Sequence, residues 1–353
     1  MKIAQVCPRY HPDIGGVETH VKELSERLVK NGWDVEVICT NPSGKLQKKD
    51  KVNGVKITRF RSIAPNDAFF FAPQIYSYLI NREYDIIHTH NYHAFPALFC
   101  ALAKKDRKLV FTPHYHGAGH SFIRNQLHKP YRPLGARILK KSDKIVCVSQ
   151  FELNLIKENF NIPASKLTHI PNGINLDEFK DVKPIERKNK TILFVGRLEK
   201  YKGVQYVIQA LPLLEHRLEI VGKGPYEQKL KKMANNLGTS KKIDWIRGLP
   251  RHELLQHYKS ADVFVMLSEH EAYGITVAEA LASGTPCIIS DIGSLIEFMD
   301  NKMCFEVKSP TNVNDLIKTI KRVATIKRGK YGGNLVDWDN VTERLIDVYE
   351  EIR

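Results

Sequence analysis

The chain has 353 residues, enough for two domains that each bury a core, and its 42% hydrophobic and 26% charged residues are ordinary for a soluble globular protein. No apolar run approaches the ~18 residues of a membrane span. The start, Met1-Lys-Ile-Ala-Gln-Val-Cys-Pro8, lacks the apolar core and cleavage site of a signal peptide, so a cytoplasmic protein is expected. The net charge of +15 is uneven, with 27 Lys and Arg against 16 Asp and Glu in residues 1–180 and 27 against 23 in residues 181–353. Such an excess can serve nucleic acid, but no recognition helix, zinc finger or RNA-binding signature accompanies it. An anionic membrane surface or a phosphorylated acceptor is the better fit. The six cysteines are scattered with no C-x-x-C pair, which argues against a disulfide framework.

Short Val- and Ile-rich runs alternate with helical patterns along the chain. Residues 2–7, 35–40, 55–60, 86–90, 109–112 and 145–149 read as strands, and 16–31, 72–81, 95–104, 133–141 and 151–159 as helices. Ser149-Gln-Phe-Glu152 has capping-box spacing at the start of the last of these. Residues 172–190, with an Asn-Gly, Pro184 and a polar run, read as a linker. A second set follows, with strands at 191–196, 218–221, 243–247, 263–267, 287–290 and 303–307. Its helices fall near 204–211, 226–237, 251–260, 276–283 and 314–325. Val341, Leu345, Val348 and Ile352 then mark one face of a terminal helix. The alternation predicts two α/β domains with mostly parallel sheets, residues 1–180 and 181–337, followed by a terminal helix over 338–353.

Several strand ends carry candidate chemistry. Pro12-Asp-Ile-Gly15-Gly16-Val-Glu18 lies between the first strand and the first helix, where glycine lets a ligand approach free helix N–H groups. Glu18 reads as a first-turn acid facing the helix dipole. His88-Thr-His90 ends a strand, and residues two apart share a face, so the pair could hold a metal. No third ligand is evident from the spacing, and the two histidines read better as cleft-wall or packing residues. Thr112-Pro-His114-Tyr-His116-Gly117 ends the next strand. Phe194-Val-Gly-Arg197-Leu-Glu-Lys-Tyr-Lys202-Gly203 puts an arginine that grips two oxygens and a mobile lysine on one loop, a pairing suited to a diphosphate. Asp337-Trp-Asp339 reads as a helix cap rather than a metal motif.

The most informative segment is Glu271-Ala-Tyr-Gly274-Ile275-Thr276-Val-Ala-Glu279, followed by Ala-Leu-Ala-Ser-Gly-Thr-Pro286. It places one carboxylate in a loop before a helix N-terminus and a second about one turn along from Thr276. A helix start holds phosphate and carboxylates accept from sugar hydroxyls, which together make a nucleotide-sugar site.

The two glutamates separated by seven residues, with 261–268 before them and 280–286 after them, resemble the E-x7-E region of the GT4 family of retaining glycosyltransferases. The Gly-Arg-Leu-x3-Lys-Gly loop and the Thr-x-His region resemble the same family. The resemblance implies a GT-B fold: two Rossmann-like domains facing across a cleft, an acceptor-binding first domain and a donor-binding second, with the C-terminal helix crossing back to the first. It implies that Glu279 holds the ribose, Arg197 and Lys202 the diphosphate, and Glu271 with Gly274, Ile275 and Thr276 the sugar. Gly16 would lie by the phosphates or acceptor, and His114 by the transferred sugar. The substrate would be a UDP- or GDP-linked sugar, used without a cofactor or an essential metal. The acceptor would be a glycan, a lipid-linked or a small hydroxyl compound.

Asp291-Ile-Gly293-Ser-Leu-Ile-Glu297 departs from the family pattern, having Ile292 where relatives commonly carry the first of two glycines. Two other readings stay open at this point, a GT-B sugar phosphorylase or sugar-phosphate synthase and a non-catalytic α/β binding scaffold. Basic residues cluster at Lys104, Lys105, Arg107 and Lys108, and again at Arg124, Lys129, Arg132, Arg137, Lys140 and Lys141. Leu127, Tyr131, Leu134 and Ile138 interleave with the second run, although Pro130 and Pro133 are expected to break any single helix. This stretch is expected to hold the protein peripherally on the inner face of an anionic membrane, while Phe69-Phe-Phe71 is expected to help bind the acceptor.

Overall fold

A computed structural model of the protein describes residues 1–117 and 122–353, and the side chains of all of these except Asn66 and residues 122–130. The chain forms two compact units, Met1–Gly173 with Val336–Arg353, and Ile174–Leu335. The packing thus puts the junction at Gly173/Ile174, where the sequence reading placed it at 180/181.

The first unit runs β1 (Lys2–Val6), α1 (Gly16–Lys30), β2 (Asp34–Thr40), β3 (Lys49–Val52), β4 (Val55–Phe60), α2 (Gln74–Ile80), β5 (Ile86–His90), α3 (Phe95–Ala103), β6 (Lys108–Thr112), α4 (Phe122–Lys141), β7 (Lys144–Cys147), α5 (Gln150–Phe160) and β8 (Leu167–His169). Its strands are ordered β3-β4-β2-β1-β5-β6-β7-β8, parallel except where β3 runs against β4. Side chains alternate across a strand, so successive residues feed two cores. Ala4, Val6, Ile87, Leu109 and Phe111 pack with α3, α4 and α5 on one face. Ile3, Val35, Val37, Ile86 and Val110 pack with α1 on the other.

The second unit runs β9 (Thr191–Val195), α6 (Val204–Ala210), β10 (Arg217–Val221), α7 (Glu227–Asn236), β11 (Ile243–Ile246), α8 (Arg251–Ser260), β12 (Val263–Met266), α9 (Ile275–Ala282), β13 (Cys287–Ser290), β14 (Cys304–Val307) and α10 (Val313–Val323). Its sheet is parallel, in the order β11-β10-β9-β12-β13-β14. The terminal helix α11 (Trp338–Glu351) belongs to the first unit. Trp338, Val341, Leu345, Val348 and Tyr349 join Val21, Leu24 and Leu28 of α1 in one buried cluster. Asp337 caps α11 by accepting from the Asp339 N–H.

In both sheets the chain order reverses beside the first strand, between β1 and β5 and between β9 and β12. This is the doubly wound Rossmann order, and such sheets bind ligands at the carboxyl ends of the strands flanking the reversal. The Gly15-Gly16, His88–His90, Arg197–Lys202 and Glu271 motifs lie at those ends, and the His114 and Asp291 motifs follow the next strands, β6 and β13.

Three local expectations are corrected. Helix α4 runs unbroken through Pro130 and Pro133, without the ladder bonds their missing N–H groups would make. Tyr131, Ile138 and Leu139 are buried in the core, and this packing outweighs local propensity. Residues 172–190 are not all linker, since Asn172 is buried against His20. Glu152 makes only half of a capping box: Ser149 accepts from its N–H, but its carboxylate reaches the N–H of Val148 rather than that of Ser149.

Candidate active site

Strands β9 and β12 deliver two loops to the reversal point of the second sheet. Lys202, from the loop after β9, donates to Glu271 Oε1, from the loop after β12. Ser268 Oγ donates to the same oxygen at 3.0 Å. Burial alone would lower the Lys202 pKa, but the Glu271 carboxylate outweighs it and holds the ammonium charged above its usual range. The loops touch closely: Gly203 is left-handed at φ 75°, and a Cβ there would come within 2.3 Å of the Leu267 carbonyl. Ser294 Oγ fastens the Glu271 loop from behind, lying 3.0 Å from the Glu271 carbonyl and 3.1 Å from that of Tyr273. Arg197 lies on the same loop as Lys202. Its guanidinium is exposed, donates to Glu199 at 3.1 Å, and is near enough to repel the Lys202 charge.

Gly274, left-handed at φ 109°, turns the chain into α9. Ile275 and Thr276 form the first turn, where N–H groups have no preceding carbonyl, and no side chain caps them. The helix start is therefore available to an anion. Glu279, one turn on, is buried and already engaged: Arg251 Nη1 donates to Oε1 and the Tyr258 hydroxyl to Oε2 at 2.8 Å. Arg251 also reaches Glu178 at 2.9 Å. A carboxylate offers about four lone-pair sites, so capacity for sugar hydroxyls remains. The Ile292 departure leaves this loop ordered through Ser294, while Glu297 is exposed.

In the first unit, Gly16 opens α1 at the reversal point, and a Cβ built on it would meet nothing within 4 Å. Packing does not demand a glycine there, whereas close ligand approach would. Glu18 faces no open solvent: it is buried and accepts from Arg9 Nε at 3.0 Å. His20, one turn along α1, meets His90 from the end of β5 and His114 from the end of β6, with ring centroids 5.3 and 4.9 Å away. His114 holds a left-handed backbone, φ 50°, which is uncommon for a non-glycine residue. His88 is a packing residue as expected, with Nδ1 bonded to Tyr349 and Nε2 to Thr112.

The basic knot is partly structural. Lys104, Lys141 and Lys166 donate to the carbonyls of Lys141, Ala101, and Lys140 and Ser142, tying down the C-terminal end of α4. Arg107 binds the carbonyls of Leu79 and Arg82. Lys105, Arg137 and Lys140 are exposed. The side chains of Arg124, Leu127 and Lys129 lie outside the described residues. Tyr131 and Ile138 face the core, so of the described interleaved apolar residues only Leu134 is exposed.

The family model for Glycosyltransferase Family 4 matches residues 14–178, and that for Glycosyl transferases group 1 matches residues 176–331. An uncharacterised glycosyltransferase of Methanocaldococcus jannaschii is 29% identical over 99% of this chain and 98% of its own. Sucrose-phosphate synthase from Thermosynechococcus elongatus superposes with a TM-score of 0.82 at 20% identity, covering 99% of this chain and 98% of that one. Anabaena HepE, solved with UDP and glucose, has a TM-score of 0.78 at 16% identity, covering 99% of this chain and 100% of its own. Two Rossmann-type sheets, family matches spanning nearly the whole length and these shared folds lead to one conclusion: the chain is a glycosyltransferase of the GT4 family, built on the GT-B fold.

Proposed function

We propose that this glycosyltransferase uses a UDP- or GDP-linked sugar, retains the anomeric configuration, and needs no metal for transfer. The observation that carries this reading is the Lys202–Glu271 pair set at the ends of β9 and β12, close to the uncapped start of α9 and to Arg197. Fixed cations and helix N–H groups there stabilise the charge that grows on the departing nucleoside diphosphate. Glu271 and the Gly274–Thr276 turn orient the sugar, and Glu279, steadied by Arg251 and Tyr258, accepts from the ribose. Gly16 and His114 of the first unit are assigned to the phosphates and the sugar on the family resemblance alone. In the transfer step the anomeric carbon–oxygen bond to the diphosphate breaks and the acceptor oxygen bonds to the same face. The acceptor proton passes to the departing phosphate oxygen.

The acceptor reading rests on the first unit. Phe71 is exposed and packs edge-on against Phe95 and Phe99, while Lys105, Arg137 and Lys140 offer cations for a phosphorylated or lipid-linked hydroxyl compound at an anionic membrane. The test is release of nucleoside diphosphate across a panel of UDP- and GDP-sugars, with and without EDTA. Turnover of one donor that persists in EDTA supports the reading. Complete loss in EDTA, restored by Mg²⁺ or Mn²⁺, overturns metal-free transfer, and no turnover or binding of any donor overturns the nucleotide-sugar assignment.

A further inference from the structure

We propose that His20, His90 and His114 form a three-imidazole site for a borderline divalent transition metal of the zinc, cobalt or nickel type. One ligand atom from each lies within 4.8 Å of the other two. His20 Nε2, His90 Nδ1 and His114 Nε2 are all buried without a hydrogen-bond partner. The surrounding bonds fix which nitrogen carries the lone pair in two of the rings. The Asn172 carbonyl oxygen, 2.7 Å from His20 Nδ1, can only accept, so Nδ1 holds the proton and Nε2 the lone pair. Gln5 donates its amide to the Tyr349 hydroxyl at 3.0 Å, which fixes its orientation. Its carbonyl therefore accepts from His90 Nε2 at 2.7 Å and leaves Nδ1 unprotonated. The Tyr349 hydroxyl in turn donates to His88 Nδ1 at 2.6 Å, and His88 Nε2 donates to Thr112 at 2.8 Å, which closes the chain.

Each of these two rings thus has one nitrogen bonded to an oxygen acceptor and the other aimed at a common point, the arrangement that orients metal-ligating histidines. Two unpaired acceptors facing a third unpartnered ring nitrogen in a buried space are costly, and a cation bound to all three would remove that cost. Burial also disfavours protonation: it pushes His20 down to about 4 and lowers His90 and His114 well below their ordinary range. A divalent ion bonds imidazole nitrogen at roughly 2.0–2.1 Å, which asks each nitrogen to move inward by less than about an ångström. Imidazole suits zinc, nickel and copper better than magnesium or calcium. Three ligands leave a fourth position for water, and His114, the least buried of the three, marks the way in.

The inference rests on the first unit alone and stands apart from the donor-site reading, except that a bound ion would take His114 Nε2 away from the sugar. Loading should therefore slow transfer rather than support it. The test is titration of Co²⁺ into chelator-stripped protein, read by visible absorption. We expect saturation at one equivalent, an intense spectrum typical of four-coordinate Co²⁺, and displacement by Zn²⁺. His114→Ala should abolish that spectrum, Asn172→Ala should weaken binding about ten- to a hundredfold by freeing the His20 ring, and the exposed His252→Ala should change nothing. Far-UV circular dichroism checks that each variant is folded. The wild-type spectrum decides even if a variant misfolds: no saturable four-coordinate signal in the folded wild-type chain overturns the site. A signal that survives in folded His114→Ala also overturns it.

Discussion

Arg197 and Lys202 carry like charges but differ in what else depends on them. Arg197 is exposed and, among the described residues, pairs only with its near neighbour Glu199, so Arg197→Ala should leave stability within about 0.5 kcal/mol. On the proposed role at the leaving diphosphate, each charged hydrogen bond is worth roughly 1.5–3 kcal/mol, so kcat/KM should fall about ten- to a hundredfold. Lys202→Ala should match that kinetic loss and also cost about 1–3 kcal/mol by urea denaturation, because among the described residues Glu271 keeps only Ser268 as its side-chain donor. Normal kinetics in both variants would remove the diphosphate assignment. The carboxylates should separate by substrate portion. Glu279→Gln should weaken binding of free nucleoside diphosphate by calorimetry, whereas Glu271→Gln should spare that binding and lower turnover of the nucleotide sugar. Equal losses from both would mean that the two roles do not separate. The sequence singles out both carboxylates and both cations because each sits in a short run with fixed spacing, and the structure brings Lys202 and Glu271 of that set together. Ser268 lies three residues from Glu271 and was within reach of the same reading. Ser294, Arg251, Tyr258 and His20 were not, because they meet their partners only when separate strands and helices assemble, and no local pattern marks them.

At the scale of elements, the first sheet is held by a polar knot as well as by its cores. Glu36 of β2 accepts from Thr58 of β4 at 2.7 Å, from Tyr78 of α2 at 2.6 Å and from Tyr84 ahead of β5 at 2.6 Å. Burial alone would raise its pKa, but these three hydroxyls outweigh it and hold the carboxyl below its ordinary range. A depressed carboxyl stabilises the fold above its unfolded pKa and loses that contribution as pH falls through the folded value. Tyr84→Phe should therefore cost roughly 1.5–3 kcal/mol at pH 7, and the cost should shrink as the pH drops below the usual glutamate range. Urea midpoints of wild type and variant across that range measure it, and a pH-independent difference would show that Tyr84 acts through packing alone. The strands and helices of both units were legible from their periodicity, and the misses have physical causes. Strand β3 is short, polar and exposed, so no apolar alternation announces it. Its turn, with Asn53 at φ 49° and Gly54 at φ 84°, is the Asn-Gly hairpin signal and was readable. Strand β8 has three half-buried residues at a sheet edge. The first half of α4 was hidden by Pro130 and Pro133, which local propensity penalises and tertiary burial overrides.

For the whole molecule, charge is the property that packing least explains. Among the described residues no helix is long and apolar enough to cross a membrane. The basic residues of 104–108 and of 124–141, with the apolar residues interleaved in the second run, were read as a face for a membrane, but Tyr131 and Ile138 are core residues, and Lys104, Lys141 and Lys166 are tied to backbone carbonyls. What remains is electrostatic: Lys105, Arg137 and Lys140, with the exposed Leu102 and Leu134 nearby in sequence. Each cation near an anionic surface contributes about 1 kcal/mol, and salt shortens the reach of that attraction to ~10 Å at 0.1 M. A patch of this kind should bind weakly, reversibly and without lipid insertion. The protein should therefore sediment with anionic vesicles at low salt, much less at high salt, and hardly at all with neutral vesicles. Lys105→Glu combined with Lys140→Glu should release it while leaving stability within about 0.5 kcal/mol, since neither side chain is buried. Equal sedimentation with anionic and neutral vesicles at low salt, or full retention by the double variant, would exclude this patch as a membrane contact and leave a soluble phosphorylated acceptor as its remaining ligand.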